Sequence, residues 1–376
     1  MSTFSTKKSA PSATNVWRWV PSLYFGEGIP YVVVTSLSVV MYKNFRVSNT
    51  EIAFYTSWLS LPWVIKPLWS PIVDRFRTKR FWIVALQLTL GASLALLALT
   101  VPGPAFFRCS LALFWLIAFA SATHDIAADG FYLLALPPDQ QAAFVGVRST
   151  FYKLAMLAGQ GGLVWLAGEF LATRPDVGRA WALVYWLVAA GFVAIGLYHL
   201  VILPKPPSDH AVKSDRQLIG GFLEVFAAFF RKKDIATILG FLLLYRFAEA
   251  QLLPLVKLFL LDARHAGGLA LSVRQVGFIY GTVGVVALIL GGLLGGYAIS
   301  RFGLKRLLWP MIVAMYVPNA AFIFLAMTQP ENLAVIGGVL AVEQFGYGFG
   351  FSAYMVYMMM AAEGEHKTAH YAICTG

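Results

Sequence analysis

Runs of about 20 apolar residues, the length that crosses the hydrocarbon core of a bilayer, recur along almost the whole of this chain. They fall at 16–40, 52–73, 81–101, 106–136, 142–170, 180–203, 235–261, 273–299, 304–327 and 333–362, and an eleventh starts near Thr368. Lipid offers no partner for backbone N–H and C=O groups, so segments of this length predict helices and not strands. Composition agrees. Of 376 residues, 59% are hydrophobic and 12% charged, against about 25% charged in an average globular domain. The expected class is an all-α, polytopic membrane protein with no soluble domain.

Residues 1–15 are polar, carry Lys7 and Lys8, and run into a full-length span without a small-residue cleavage site. They read as a cytoplasmic tail and not as a secretory signal. Cys109 and Cys374 lie far apart and form no metal or redox spacing, so no metal or cofactor is expected. The net charge of +11 invites a nucleic-acid reading, but its distribution argues against one. With the N-terminus inside, eighteen of the 29 basic residues fall in cytoplasmic segments and seven in outer loops. The other four, Lys66, Lys153, Arg246 and Lys257, lie within spans. That bias is the positive-inside rule, so the charge reports topology and contact with anionic lipid.

Six spans precede a polar stretch at 204–234, after which the pattern resumes. Within it Leu218, Phe222, Val225, Phe226 and Phe229 fall at helical spacing and lead into Arg231, Lys232 and Lys233. This predicts a basic amphipathic helix along the cytoplasmic face. The expected organisation is a tail (1–15), a six-helix bundle (16–203), a linker (204–234) and a second bundle (235–376). An internal repeat supports two related halves. After span 2 the chain carries Ser70, Asp74, Arg75, Phe76, Arg77, Lys79 and Arg80. After span 8, 226 residues on, it carries Gly296, Ser300, Arg301, Phe302, Gly303, Lys305 and Arg306. Parallel repeats about an axis along the membrane normal build major facilitator transporters. The sequence resembles that superfamily here, whose hallmark between helices 2 and 3 is Gly-x-x-x-Asp-Arg-x-Gly-Arg/Lys-Arg/Lys. Ser70 and Arg77 replace its two glycines in the first copy, and Ser300 replaces its acid in the second. The resemblance implies a gating role for Asp74, Arg75, Lys79 and Arg80, and for Arg301, Lys305 and Arg306 in the copy without an acid. It also implies twelve helices, the last ending near position ~429, of which ten and the start of helix 11 are present, so a truncated second bundle is expected.

Ionisable groups within spans cost about 2.5–3.5 kcal/mol on insertion scales, so they face an interior and serve a role. The acids are Glu27, Asp125, Asp129, Glu249 and Glu343. Asp125 and Asp129, four apart, share one face of span 4, with Tyr132 nearby. Two carboxylates so close in a low dielectric do not both ionise easily, which suits a proton-coupling site; packing ion pairs with Arg148 and Lys153 are the alternative. His124 beside them is a proton relay or a structural, hydrogen-bonded histidine. Glu27 in span 1 is flanked by Gly26, Gly28 and Pro30, which loosen the helix around it. Span 7 has Arg246, Glu249 and Pro254 at the matching place. The i, i+3 spacing of Arg246 and Glu249 lets them neutralise each other, and broken, charged helices at corresponding points also mark a central site. Lys66 either snorkels to headgroups or meets an anionic solute. Glycines at 159, 161 and 162, and at 277, 281, 291, 292, 295 and 296, predict close helix crossing.

The chain is further similar to the AmpG-type muropeptide permeases and their relatives, the acetyl-coenzyme A transporters. The similarity rests on Gly26-x-Gly28-x-Pro30, on Leu61-Pro62 through Lys66 and Pro71 to Asp74-Arg75, on Ala122 through Gly130, and on Glu343-x-Phe345-Gly346 with Thr368 to Ala372. Those relatives usually carry Gln where this chain has His124. The resemblance implies a proton-driven permease of the bacterial inner membrane, working as a monomer, that imports anhydro-muropeptides. Asp125, Asp129 and Glu27 are then the coupling candidates. Lys66, Lys153 and Arg246 would meet solute carboxylates, Tyr24, Tyr31, Trp63 and Tyr152 would stack on sugar rings, and His124 and Glu249 complete the solute set. Acetyl-coenzyme A or another organic anion is the alternative cargo. A membrane-embedded acyltransferase, suggested only by His124-x-x-x-x-Asp129, is the rival from another class, and a receptor would need a longer soluble segment than 204–234.

Overall fold

The computed structural model describes residues 16–173, 176–211, 218–249, 252, 256, 259–260, 262–271 and 273–375, save the side chains of 49, 218–222, 273–274, 277 and 281. The polar tail, Arg174, Lys213, Arg216, Gln251, Pro254 and Lys257 lie outside the described residues. Helices account for the fold. They are α1 (Val20–Asn44), α2 (49–75), α3 (Lys79–Thr100), α4 (Phe106–Ala135), α5 (Pro138–Thr173), α6 (Val177–Ile202), α7 (Leu218–Phe230), α8 (Ile235–Leu244), α9 (273–302), α10 (Leu304–Thr328), α11 (Leu333–Ala361) and α12 (Lys367–Thr375). Among the described residues, eight helices are long and apolar enough to cross a membrane by length and composition. Large apolar side chains point outward along them, among them Val201 at 82% exposure, Met327 at 81% and Trp309 at 73%. An apolar exterior of this kind suits lipid and not water.

Span 2 is expected as one helix and is instead segmented. Short 3₁₀ turns at Trp58–Ser60 and Lys66–Leu68 interrupt α2. Pro62, Pro67 and Pro71 remove backbone donors and crowd the preceding turn, which accounts for the interruptions. α1 and α5 each contain a wide π turn, at Val33–Leu37 and Ala158–Leu163. The two turns pack on each other, with Gly159 seated on Val32.

The chain forms two compact units. The first takes residues up to Pro137, Phe151–Val225 and the segment from Gly364 onward; the second takes Pro138–Thr150 and Phe226–Glu363. In the first, α3 packs along α4 and α6. Its buried positions Ile83, Gln87, Leu90, Leu94 and Leu97 follow the three- and four-residue steps of one helix face. Val34, Leu37, Phe114, Tyr185 and Phe192 continue the same apolar core. α12 packs on α4 and the last segment of α2.

In the second unit, α9 lies against α11, and α11 also packs on α10. The first contact is nearly backbone to backbone. A Cβ at Gly291 would strike the Phe345 carbonyl, and one at Gly348 the Leu288 carbonyl. Ser352 Oγ adds a 3.0 Å hydrogen bond to the Gly292 carbonyl. Small residues give membrane helices this approach, because burial of apolar side chains brings little where the solvent is itself apolar.

Candidate functional site

Among the described residues, Glu27, Lys66, Asp125, Asp129 and Lys153 of the spans belong to the first unit, and Arg246, Glu249 and Glu343 to the second. In the first unit, Lys66 of the interrupted α2 forms an ion pair with Asp125 of α4. The lysine is only 5% exposed. It therefore does not snorkel to headgroups, and Asp125 is paired within its own unit. Asp129, one turn along α4, is buried and accepts a 3.2 Å hydrogen bond from the Tyr24 hydroxyl of α1. Tyr24 in turn meets Tyr132 edge to face, with centroids 5.8 Å apart. Asp125, Asp129 and Glu27 all lie within electrostatic reach of the Lys66 ammonium.

The helix breaks explain how these groups meet. Lys66 opens a 3₁₀ turn with Pro67 behind it, which turns its side chain inward from a segment otherwise facing lipid through Val64 and Leu68. Trp69 Nε1 donates to Thr123 Oγ1 at 3.2 Å and holds α2 against α4 at this height. Gly28 lets α1 approach α5, since a Cβ there would lie 2.7 Å from Ala155 Cβ and 2.9 Å from the Tyr152 carbonyl. Tyr152 is thereby brought within electrostatic reach of Asp125, Glu27 and Asp129. Lys153 is half-buried beside it. Tyr31 and Trp63 stand edge to face with centroids 5.0 Å apart. His124 is buried and bonds to Gln87 of α3, at 3.0 Å.

In the second unit, Arg246 donates to the Tyr347 hydroxyl at 3.0 Å and lies 5.0 Å over the Phe351 ring. Glu249 is buried and accepts from Asn319 Nδ2 at 3.3 Å. Among the described residues Arg246 and Glu249 form no ion pair with each other, so the i, i+3 neutralisation is not realised directly. Glu343, also buried, accepts from Gln344 Nε2 at 2.9 Å. Two carboxylates are thus each held by a carboxamide, and Glu249 lies within electrostatic reach of the Arg246 guanidinium.

The repeated loops differ in what they hold. In the first copy Asp74 pairs with the buried Lys79 at 2.8 Å and accepts from the Ala369 backbone N–H at 3.0 Å, at the start of α12. Arg80 caps the end of α6 through the Leu200 and Leu203 carbonyls. Arg75 is half-buried beside Asp74 in the chain. Arg77 adopts φ 63 in the position where the hallmark has glycine, and its counterpart Gly303 has φ 79. In the second copy Arg301, Lys305 and Arg306 are all exposed, and Ser300 bonds back to its own helix, at the Tyr297 carbonyl.

Several partners escape sequence reasoning. Asp209 of the linker accepts from the Lys79 and Arg80 backbone N–H groups at 2.6 and 3.0 Å, and Ser208 Oγ caps the Leu134 carbonyl at 2.8 Å. Gln87, His199, Asn319 and Tyr347 are the others. Gln87 and His199 are polar residues inside apolar spans, a signal that the sequence itself carries.

Known proteins share this architecture. The family model described as Major Facilitator Superfamily matches residues 23–373. The anhydromuropeptide permease of Escherichia coli strain K12 is 27% identical over 356 residues, covering 93% of this chain and 69% of the relative. A putative transporter, AmpG 4, of Rickettsia conorii is 23% identical over 362 residues, covering 92% and 82%. Among solved structures, a variant of the E. coli fucose:proton symporter FucP superposes with a TM-score of 0.65 at 16% identity, over 95% of this chain and 86% of that one. At that identity the likeness is one of fold.

Proposed function

The chain belongs to the major facilitator superfamily, and on that premise we propose that it is a proton-coupled permease of the bacterial inner membrane importing anhydro-muropeptides or closely similar peptide and glycan fragments. Membership and the permease relatives make it a multi-pass membrane transporter of small-molecule solutes and not an enzyme. The solute is supported by the E. coli relative, whose name states it and which aligns with 93% of this chain.

The observation that carries the coupling is the buried Lys66–Asp125 pair with Asp129 one turn away. A solute carboxylate that engages Lys66 adds a negative charge to a buried cluster that already holds Asp125, Asp129 and Glu27. Crowding acids at that depth favours the neutral form of one of them, so the cluster takes up a proton as the solute binds. One negative charge enters and one is neutralised, so the net charge of the site is unchanged. Asp129 and Glu27, within reach of the same ammonium, supply further acceptors along the path. Tyr24, Tyr31, Trp63 and Tyr152 offer aromatic faces and hydroxyls to sugar rings. In the second unit Arg246, held on the Tyr347 hydroxyl, is a separate candidate for carboxylate recognition, with Glu249 near it. The excess of basic residues in alternate loops supports a cytoplasmic N-terminus; on this reading the halves 16–203 and 235–376 are the moving bodies and a single chain is the working unit.

Uptake of labelled anhydro-muropeptide into proteoliposomes, acidic outside and alkaline within, tests this reading. Concentrative uptake that collapses with a protonophore is expected. Flux indifferent to the gradient overturns proton coupling, and uptake of acetyl-coenzyme A in place of the muropeptide overturns the solute.

A further inference from the structure

Three buried polar side chains of the first unit form one line of hydrogen bonds across α4, α3 and α6. Gln87 of α3 turns its amide Nε2 to His124 Nε2 at 3.0 Å and its Oε1 to His199 Nδ1 at 2.9 Å. His199 Nε2 lies 2.9 Å from Ser22 Oγ of α1, and that hydroxyl lies 3.2 Å from the Trp19 carbonyl. His124, Gln87 and His199 are at most 1% exposed.

A carboxamide donates at one end and accepts at the other, so the line has a direction. With Gln87 Nε2 toward His124, that ring nitrogen is bare and neutral His124 keeps its proton on Nδ1. Oε1 toward His199 makes His199 Nδ1 the donor, leaving its Nε2 to accept from Ser22. A proton arriving on His124 Nε2 reverses every step. Gln87 turns its Oε1 to His124 and its N–H to His199 Nδ1. His199 loses the proton on Nδ1 and gains one on Nε2, exchanging with water and with no net change. Its Nε2–H donates to Ser22, whose hydroxyl turns to the Trp19 carbonyl. Both arrangements satisfy the Gln87 amide, both ring nitrogens of His199 and the Ser22 hydroxyl. Any mixed arrangement sets two donors or two acceptors face to face in a buried site, which is costly.

We propose that Gln87, His199 and Ser22 are positioning residues that set the tautomer of His124. Together they report its protonation to the start of α1 and the end of α6. The use of this reporter rests on the proton-coupled reading; its chemistry does not. The charged and titratable groups around it are Asp125, next to His124 and in electrostatic reach of it, and Lys66 of α2, which pairs with Asp125. Asp129 with Tyr24 adds a further acid on α4. At the other end stand Tyr198, ring to ring with His199 at 5.5 Å, and Arg80, capping Leu200 and Leu203.

Nitrogen-15 NMR of histidine-labelled full chain in nanodiscs tests it, with His124→Asn and His199→Asn to assign the signals. At neutral pH both rings should show a protonated Nδ1 and a bare Nε2. On acidification the His199 tautomer should switch at the same midpoint as His124 protonates. Gln87→Leu should uncouple them, shifting the His124 midpoint by at least about half a pH unit. Rings that change at separate midpoints in the unaltered protein, or a Gln87→Leu variant that leaves both as before, overturn the proposal. Should Gln87→Leu not fold, Gln87→Met, closer in shape and likewise without an amide, takes its place; rings that stay coupled in that variant overturn the proposal. Gradient-driven uptake by the same proteins in proteoliposomes separates the two readings. Coupled rings with gradient-indifferent flux would keep the relay and sink proton coupling, and separate rings with gradient-driven flux would do the opposite.

Discussion

Lys66 and Asp125, 59 residues apart in the chain, neutralise each other between the broken α2 and the continuous α4. Removing one partner of a buried ion pair costs about 3–5 kcal/mol, whereas replacing both by apolar residues is often neutral. Lys66→Met and Asp125→Asn should therefore each lower the unfolding temperature in detergent, and Lys66→Met/Asp125→Leu should recover most of it. All three should lose concentrative uptake. A double variant that is both stable and concentrative would show that the pair only packs.

Arg77 sits at φ 63, in the left-handed region that costs a non-glycine residue about 1–2 kcal/mol. Its guanidinium lies 5.6 Å over the Phe81 ring, a contact at the surface. Arg77→Gly should raise stability by about 1 kcal/mol, read as a higher midpoint in a thermal scan. The reverse change, Gly303→Arg, should lower it, because Gly303 holds φ 79.

Asp209 receives the two N–H groups at the start of α3, the role of a helix cap supplied from the linker. Asp209→Ala should cost about 0.5–2 kcal/mol and speed amide exchange at Lys79 and Arg80. Exchange there unchanged from the parent would show that Thr78, which accepts from the Phe81 N–H at 3.1 Å, caps α3 alone.

Gly291 faces the Phe345 carbonyl, whereas Gly338 has nothing within 4 Å of a would-be Cβ. Gly291→Ala has to push α9 from α11 and should destabilise strongly, with loss of monodisperse protein in size-exclusion chromatography. Gly338→Ala, on the same helix pair, should be neutral or slightly stabilising. Equal behaviour of the two variants would contradict the close crossing.

Much of the fold was legible because its signal is local. Twenty apolar residues mark a span wherever they stand, and the i, i+4 step of Asp125 and Asp129 puts both on one face without knowledge of any neighbour. That Arg77 departs from the hallmark glycine is visible in the sequence, whereas its φ of 63 is visible only in the structure. The site was less legible. Lys66 could be named but its partner could not, and the partners of Gln87 and His199 are set by helices far apart in the chain. Their bonds join positions 112 residues apart, and those of Asp209 and Lys79 span 130.

The chain's own sequence determined that it crosses a membrane as helices, in two halves with one repeated loop, because lipid cannot satisfy a bare backbone and apolar length alone meets that demand. Tertiary structure decided which charges meet. Buried polar groups choose partners by helix adjacency and height, and the breaks in α2, the approach at Gly28 and the cap from Asp209 set both.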